Sequence, residues 1–274
     1  MRLSFYGRLS LGAVFTVQDS KERFSSRVED YNKYRPSYPP EVITLLKSKY
    51  SLNSDHTIAD IGSGTGISSE LFLKNGNTVY AIEPNQDMRL QAERNLTTFP
   101  GFKSINGQAE ATTLAPQSAD FIVAAQAFHW FNLNPTRAEF HRIKKPSGFV
   151  VVLFNDRLTQ GSEFAERYEQ MMNEFGTDYK DIEHKNREIK LQKYKEFFKS
   201  YEEFEFPYSQ HLNYSSLLGR TKSSSYTPKT EHPEFLLMQA RLESIFKGCA
   251  IDGLVDMKYV TQVLVAPELR VEMA

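Results

Sequence analysis

Two carboxylates flank a cluster of closely spaced glycines in the first third of the chain. Asp60 lies near the end of an apolar run, Gly62, Gly64 and Gly66 follow at alternate positions, and Glu83 ends a second apolar run. Glycines at this spacing let the backbone turn sharply and approach a ligand closely, because no Cβ intervenes. A carboxylate after the second strand is well placed to accept hydrogen bonds from both hydroxyls of an adenosine ribose. The pattern therefore predicts a site for a nucleoside-containing cofactor.

The spacing of the glycines indicates what kind of cofactor fits. A dinucleotide turn has the order G-x-G-x-x-G, and the position that needs its third glycine is Ile67 in this chain. A phosphate-binding P-loop needs Gly-Lys-Ser/Thr after its glycines, and that sequence is absent here. Asp60 would repel a phosphate but suits a cofactor with an ammonium or sulfonium charge. These features disfavour a pyrophosphate and favour a positively charged cofactor.

Four segments carry a resemblance to a known family. Residues 60–66 resemble the first motif of class I S-adenosylmethionine-dependent methyltransferases, D-x-G-x-G-x-G, and match it completely. Residues 107–110 (G-x-A-E) and 125–131 (A-Q-A-F-H-W-F) resemble the type 11 branch, which includes trans-aconitate methyltransferase-like proteins. Residues 31–39 resemble the lead-in Y-x-x-x-R-P-x-Y-P of the same branch. The resemblance covers residues 24–266 and implies S-adenosyl-L-methionine as the cofactor.

Strand and helix signals alternate along the chain, as a doubly wound α/β domain requires. Residues 120–125 are almost continuously apolar, which is typical of a central parallel strand buried on both faces. The predicted strands are 57–61, 78–83, 102–106, 120–125, 148–154, 203–214 and 253–266, the last two being an antiparallel edge pair. The predicted core helices are 68–75, 86–95 and 135–143. The resemblance implies a mostly parallel seven-stranded sheet in the order 3-2-1-4-5-7-6, the Rossmann-like methyltransferase fold.

One methyltransferase domain is expected at residues 24–274, after an N-terminal arm at 1–23. Residues 162–201 carry apolar side chains at helical spacing, so we predict amphipathic helices over the carboxyl end of the sheet, where a substrate cap would lie. Residues 215–228 are rich in Ser and Thr and predict a loop before a further helix at 233–246. Cap insertions are therefore expected near 160–201 and 215–250.

Position in the predicted sheet and the family resemblance together give the candidate site residues. Those assigned to the cofactor are Arg35, Asp60, Gly62, Ser63, Gly64, Gly66, Glu83, Pro84, Met88, Ala109, Glu110 and Gln126. Those assigned to the substrate are Tyr31, Tyr34 and Trp130.

Individual roles follow from side-chain chemistry and from the resemblance. Glu83 is expected to bind the ribose, and Pro84 and Met88 to pack against the adenine, near which the resemblance places residues 109 and 110. Arg35 is expected to pair with the carboxylate of the methionine part. Two alternatives stay open: Glu110 as a solvated loop carboxylate, and Arg35 as a surface arginine before a rigid proline turn.

His129 is the candidate catalytic residue. It follows the fourth strand, where ligands bind in open α/β sheets, and it could act as a general base or hydrogen-bond the acceptor. The alternative is that His129, Trp130 and Phe131 form a packed aromatic wall under the cap. Methyl transfer from a sulfonium is an in-line displacement with an activated leaving group. A base is therefore needed only when the acceptor keeps a proton at neutral pH.

Composition excludes several classes of protein. The 274 residues carry 33 Lys and Arg against 34 Asp and Glu, so no global basic field attracts nucleic acid or anionic membranes. The basic run at 185–199 is interpreted as a solvated helix face, with a nucleic-acid contact as the alternative. The single cysteine, Cys249, excludes an intramolecular disulfide and a cysteine zinc cluster and favours a reducing compartment. No apolar run approaches the ~18 residues of a membrane span. We expect a cytoplasmic protein without a metal, a membrane anchor or a nucleic-acid partner.

The sequence thus predicts a methyltransferase that acts on a small molecule with a carboxylate or hydroxyl acceptor. A carboxylate needs no base and suits a site with one candidate histidine. Three alternatives stay open: an inactive binding protein of the same fold, an RNA or protein methyltransferase, and an NAD-linked oxidoreductase. The D/N-P-P-Y tetrapeptide of amino-group and base methylation is absent after the fourth strand, which disfavours the second.

Overall fold

The structure is a computed structural model that describes residues 28–177, 179 and 190–270. Its helices are α1 (Val28–Tyr34), α2 (Glu41–Tyr50), α3 (Ile67–Lys74), α4 (Gln86–Leu96), α5 (Leu133–Ile143), α6 (Glu163–Phe175), α7 (190–197), α8 (Tyr214–Lys222) and α9 (Phe235–Cys249). Its strands are β1 (Thr57–Ile61), β2 (Thr78–Ile82), β3 (Phe102–Ile105), β4 (Ala119–Ala125), β5 (Lys144–Arg157), β6 (Phe198–Leu212) and β7 (Val255–Leu269). The predicted arm at 1–23 lies outside the described residues. None of the described helices has the length and apolarity to cross a membrane.

The strands form one seven-stranded sheet in the order β3-β2-β1-β4-β5-β7-β6. Strands β1 to β5 pair in parallel with one another, and β7 is antiparallel to both β5 and β6. This confirms the doubly wound, mostly parallel fold and the strand order that the family resemblance implied. The carboxyl ends of β1, β2 and β4 therefore meet at one edge of the sheet, where they bring the glycine turn, Glu83 and the residues after position 125 together.

Apolar layers cover both faces of the sheet, and β4 contributes to each. Ile122 and Ala124 belong to one buried cluster, whereas Phe121 and Val123 belong to the other. This division follows from the two-residue period of a strand, which points successive side chains to opposite faces. The continuous apolar run in the sequence is thus explained by burial on both sides.

A third apolar cluster lies beyond the parallel strands. It packs α6 and α9 against the start of β7, with Met171, Met238 and Tyr259 among its fully buried members. Strands β5 and β7 extend together past the carboxyl ends of the other strands, as far as the pairing of Arg157 with Tyr259. Helices α6 and α9 therefore lie beside this edge, where the cap was predicted, and their role as a substrate cap stays a prediction.

Two parts of the cap prediction are wrong. Residues 198–201, assigned to the helical insert, begin the edge strand β6, in which Phe198 pairs with Leu269. Residues 215–222, assigned to a Ser/Thr-rich loop, lie in α8 instead. The Asn213 side chain caps this helix by accepting a hydrogen bond from the Ser216 N–H, and Leu217 is fully buried. Ser and Thr near a helix start suit its capping needs, so composition alone was misleading.

Candidate cofactor site

The three glycines between β1 and α3 each adopt left-handed backbone conformation, with φ of +69°, +56° and +88°. A Cβ on Gly62 would lie 2.7 Å from the Ala127 Cβ, and one on Gly66 would lie 2.5 Å from the Leu96 Cδ1. A Cβ on Gly64 would meet no heavy atom within 4 Å. Gly62 and Gly66 therefore permit close packing of the protein itself, whereas Gly64 leaves open space at the centre of the turn.

Glu83 joins the glycine turn to the start of α4. Its Oε2 accepts a hydrogen bond from the Gly64 N–H at 2.9 Å, and its Oε1 accepts one from the Asn85 N–H at 2.8 Å. Burial raises the pKa of Glu83, and these two N–H donors lower it. Each carboxylate oxygen has a second lone pair available. The residue can therefore hold the turn in place and accept two ribose hydroxyls at the same time.

A pocket of about 790 Å³, including space open to solvent, lies over this carboxylate. Ten predicted site residues line it: Tyr31, Gly62, Gly64, Glu83, Pro84, Met88, Ala109, Glu110, Gln126 and Trp130. Sequence reasoning missed the other lining residues, Asn85, Gln108, Ala125, Ala127 and Phe131.

A second pocket of about 500 Å³, also including space open to solvent, adjoins the first at the glycine turn. The two share Tyr31, Gly62, Gly64, Ala125 and Gln126. The second pocket adds the predicted residues Arg35 and Ser63, together with the unpredicted Pro36, Tyr38, Thr65, Ile67, Ser68, Asn155 and Arg220. Tyr38 belongs to the lead-in motif at 31–39, which could have indicated it, whereas no sequence pattern marks Arg220.

Four predicted site residues line neither pocket: Tyr34, Asp60, Gly66 and His129. The Tyr34 ring instead packs closely against Gly219 of α8. A Cβ on Gly219 would lie only 2.1 Å from this ring. Its carbonyl oxygen accepts a hydrogen bond from the Gln210 side chain at 3.1 Å. Tyr34 therefore attaches α1 to the cap and does not face the pockets.

His129 lies in a 3₁₀ turn after β4, with its ring against Trp130 and Phe154 at centroid distances of 4.8 and 5.8 Å. Its Nδ1 is buried and makes no hydrogen bond. Burial, and secondarily the charges of Lys193 and Lys190, lower the pKa of His129 to about 3. The imidazole is therefore neutral near pH 7. This packing corresponds to the aromatic-wall alternative, and a catalytic role for His129 stays a prediction.

Asp60 supports the glycine turn from behind. Its Oδ2 accepts hydrogen bonds from the hydroxyls of Ser68 and Ser69 at 2.7 and 2.6 Å, which fixes the first turn of α3. Its Oδ1 is buried without a hydrogen-bond partner. Burial raises the pKa of Asp60 from 3.8 to about 6, although the hydroxyls of Ser69 and Ser68 act in the opposite direction.

This raised pKa predicts a pH-dependent loss of stability. The folded protein holds the Asp60 proton more tightly than the unfolded chain, so the contribution is fully present below pH 3.8 and is lost as the pH rises through about 6. Two pKa units correspond to about 3 kcal/mol. We expect the free energy of unfolding, measured with urea without cofactor, to fall by that order from pH 4 to pH 7 relative to Asp60→Asn. A difference between the two proteins that does not vary with pH would contradict this assignment.

Several polar groups beside the turn have no partner among the described residues. The buried atoms Asp60 Oδ1, Ser63 Oγ, Thr65 Oγ1 and Arg35 Nε make no hydrogen bond. Buried polar groups are normally paired, so this set is suited to a polar ligand. The two hydroxyls and the guanidinium N–H belong to residues that line the second pocket, and they match the carboxylate of an amino acid, while Glu83 matches a ribose. The residues present therefore fit S-adenosylmethionine.

Comparisons with known proteins agree with this geometry. A family model described as "Methyltransferase domain", of the type 11 branch, matches residues 59–152. Over 142 residues the chain is 33% identical to an uncharacterized methyltransferase of Mycobacterium bovis, covering 51% of this chain and 55% of the relative. Over 135 residues it is 28% identical to an uncharacterized methyltransferase of Schizosaccharomyces pombe, covering 49% and 53%. The chain thus spans about half the length of the curated relatives that it matches.

Solved structures share the fold. A putative type II methyltransferase from Anaeromyxobacter dehalogenans aligns with a TM-score of 0.63 at 19% identity, over 85% of this chain and 97% of its own. A putative methyltransferase from an antibiotic biosynthesis pathway of Anabaena variabilis aligns with a TM-score of 0.57 at 20% identity, over 86% and 99%. The family match, the sheet order and the D-x-G-x-G-x-G turn together identify residues 59–152 as part of a class I S-adenosylmethionine-dependent methyltransferase domain.

Proposed function

We propose that this protein transfers a methyl group from S-adenosylmethionine to an oxygen of a small molecule, with a carboxylate preferred over a hydroxyl as the acceptor. The observation that carries the proposal is the continuity of the two pockets across Gly62, Gly64 and Gln126. One pocket offers Glu83 to a ribose, and the other adds buried polar groups for an amino acid. An acceptor can then reach the middle of the same space.

The lining residues have distinct roles in this proposal. When bound, the cofactor supplies an electrophilic methyl group on a sulfonium. Glu83 holds the ribose, Pro84 and Met88 pack against the adenine, and Arg35 pairs with the methionine carboxylate. Tyr31, which lines both pockets, covers their junction from α1. Catalysis then depends mainly on alignment of the acceptor with the methyl group.

Side-chain chemistry supports a carboxylate acceptor. The residues that line the two pockets include no histidine, lysine or cysteine. Glu110 is engaged, since its Oε1 accepts a hydrogen bond from the Asn132 N–H at 3.1 Å. His129, with a pKa lowered to about 3, is a weak base. A carboxylate is already deprotonated at neutral pH and reacts without a base. The resemblance to trans-aconitate methyltransferase-like proteins points in the same direction.

Three alternative functions were left open by the sequence. The match to a methyltransferase family model argues against an NAD-linked oxidoreductase. A nucleic-acid acceptor is disfavoured because three lysines of the basic run at 185–199 are engaged within the protein. Lys190 pairs with Asp156, Lys199 pairs with Glu268, and the Lys193 Nζ donates to the His129 carbonyl oxygen at 2.6 Å. An inactive cofactor-binding protein is distinguished only by assay.

Transfer assays with a histidine variant test the proposal. We expect methylation of a small acid, and we expect His129→Ala to lower turnover on it by less than about tenfold, because no proton has to be removed. A hydroxyl acceptor that depended on His129 would instead lose about 10² to 10⁴ in rate. His141→Ala, an exposed histidine on α5, is the matched control.

The readout is transfer of a labelled methyl group to panels of small acids, phenols, RNA and peptides. Methylation confined to RNA or protein would refute the proposal. Binding of the cofactor without transfer to any panel would leave the inactive binding protein as the better description.

A further inference from the structure

Arg220 is a buried cation that faces the second pocket from the cap. It lies on α8, is 6% exposed and lines this pocket together with Arg35 and the glycine turn. Its Nε donates to the Tyr259 hydroxyl at 3.1 Å, and its Nη1 donates to the Ser224 hydroxyl at 3.0 Å. Both partners are neutral. The guanidinium is thus held in position, and its charge is not balanced by these contacts.

Arg35 lies beside Arg220 in the same pocket. Its Nη2 donates to the Ser223 carbonyl oxygen at 2.8 Å, its Nε is buried without a partner, and its guanidinium lies 4.8 Å from the centre of the Tyr31 ring. Burial, and then the charge of Arg220, lower the pKa of Arg35. The two cations therefore repel each other. None of the residues that line this pocket is acidic.

A partly buried arginine elsewhere in the cap is paired with a carboxylate. Arg157, at the end of β5, forms an ion pair with Glu169 of α6, and the two side chains are 12% and 18% exposed. Buried charges in proteins are normally paired, because an unpaired one is costly to desolvate. The contrast indicates that the two arginines of the second pocket are balanced by a ligand.

The charges of the two arginines and of the cofactor indicate which ligand this is. In the proposed function, on which this step rests, Arg35 pairs with the single carboxylate of the cofactor. The cofactor also carries an ammonium and a sulfonium, so it brings no second negative charge for Arg220. We propose that Arg220 binds an acidic group of the methyl acceptor, and hence that the acceptor is a small molecule with an anionic anchor separate from the oxygen that is methylated. Dicarboxylic and hydroxycarboxylic acids have this chemistry.

Binding measurements test the role of Arg220 without relying on turnover. Malonate, succinate, glutarate, malate and citrate, with malonamide and succinamide as neutral matches, are titrated into protein saturated with S-adenosylhomocysteine at constant ionic strength. We expect at least one acid to bind and the amides not to. Arg220→Gln should weaken that binding roughly tenfold or more, as loss of a charge-assisted hydrogen bond implies, while the affinity for S-adenosylhomocysteine changes less than about twofold.

Matched variants make the result specific. Arg35→Gln should weaken binding of S-adenosylhomocysteine, and Arg241→Gln, an exposed arginine on α9, should change neither affinity. Thermal unfolding checks that each variant folds. If Arg220→Gln does not fold, Arg220→Lys keeps the charge but loses the planar fork, and an intermediate loss of acid binding is expected.

Three outcomes would overturn the inference: no acid binds, acids bind equally well to the Arg220 variants, or Arg220→Gln weakens S-adenosylhomocysteine as much as Arg35→Gln does. The last would mean that both arginines hold the cofactor. Failure of the unsubstituted protein to bind S-adenosylhomocysteine would instead overturn the proposed function.

Discussion

Replacing Glu83 with alanine should weaken the binding of S-adenosylhomocysteine by roughly tenfold or more. The variant loses a charged acceptor for the ribose hydroxyls, and such a contact contributes on the order of 1.5–3 kcal/mol. It also leaves the N–H groups of Gly64 and Asn85 without their acceptor, which loosens the turn. Isothermal titration calorimetry measures the change directly.

The control for Glu83 is another glutamate with a hydrogen-bonding role outside the pockets. Glu93 of α4 accepts a hydrogen bond from the Ser104 hydroxyl at 2.6 Å, and Glu93→Ala should leave the cofactor affinity unchanged. Unchanged affinity in Glu83→Ala would reject the assignment of the ribose. Tighter binding of NAD than of S-adenosylhomocysteine by the unsubstituted protein would reject the cofactor itself.

A methyl group at position 64 should separate cofactor binding from stability. Gly64 and Gly161 both have positive φ, +56° and +88°, and at both positions a Cβ would meet no heavy atom within 4 Å. Alanine at either site should therefore lower the free energy of unfolding by about 1–2 kcal/mol, mainly because a residue with a Cβ is strained in the left-handed conformation. Only at Gly64 does the methyl group enter the space between the pockets.

We therefore expect Gly64→Ala to weaken S-adenosylhomocysteine binding by about tenfold or more, equivalent to about 1.4 kcal/mol, and Gly161→Ala to leave it unchanged. Urea unfolding should show similar losses of stability for the two variants. Equal cofactor affinities would show that Gly64 serves only the geometry of the turn, as Gly66 does.

The sheet and most of the first pocket were predictable because their signals are local. The apolar run ending at Ala125 and the turn at residues 60–66 each specify a strand or its end within a few residues. Ligand residues then follow from topology, since the carboxyl ends of parallel strands converge. The positions of Glu83 and Gln126 in the pockets agree with this reasoning.

The parts that could not be predicted depend on tertiary packing. Arg220 reaches the second pocket only because α8 packs against α1, through the contact of Gly219 with Tyr34. The same contact holds Tyr34 against α8, and Tyr34 lines neither pocket. His129 lies on the expected loop, but the aromatic rings of Trp130 and Phe154 decide where its imidazole lies. Sequence spacing specifies the loop and does not specify the direction of a side chain.

The packing of α1 against α8 determines the order in which parts of the site can fold during translation. Arg35 donates to the carbonyl oxygen of a residue 188 positions later in the chain. A ribosome adds roughly 5–20 residues per second, so about 10 to 40 s pass between the synthesis of α1 and that of the helix on which it packs. The glycine turn, Glu83 and β4 are all synthesised within that interval. The nascent chain can therefore form the half of the site that contains the glycine turn and Glu83 first, while the half that contains both arginines is completed only after α8 has left the ribosome.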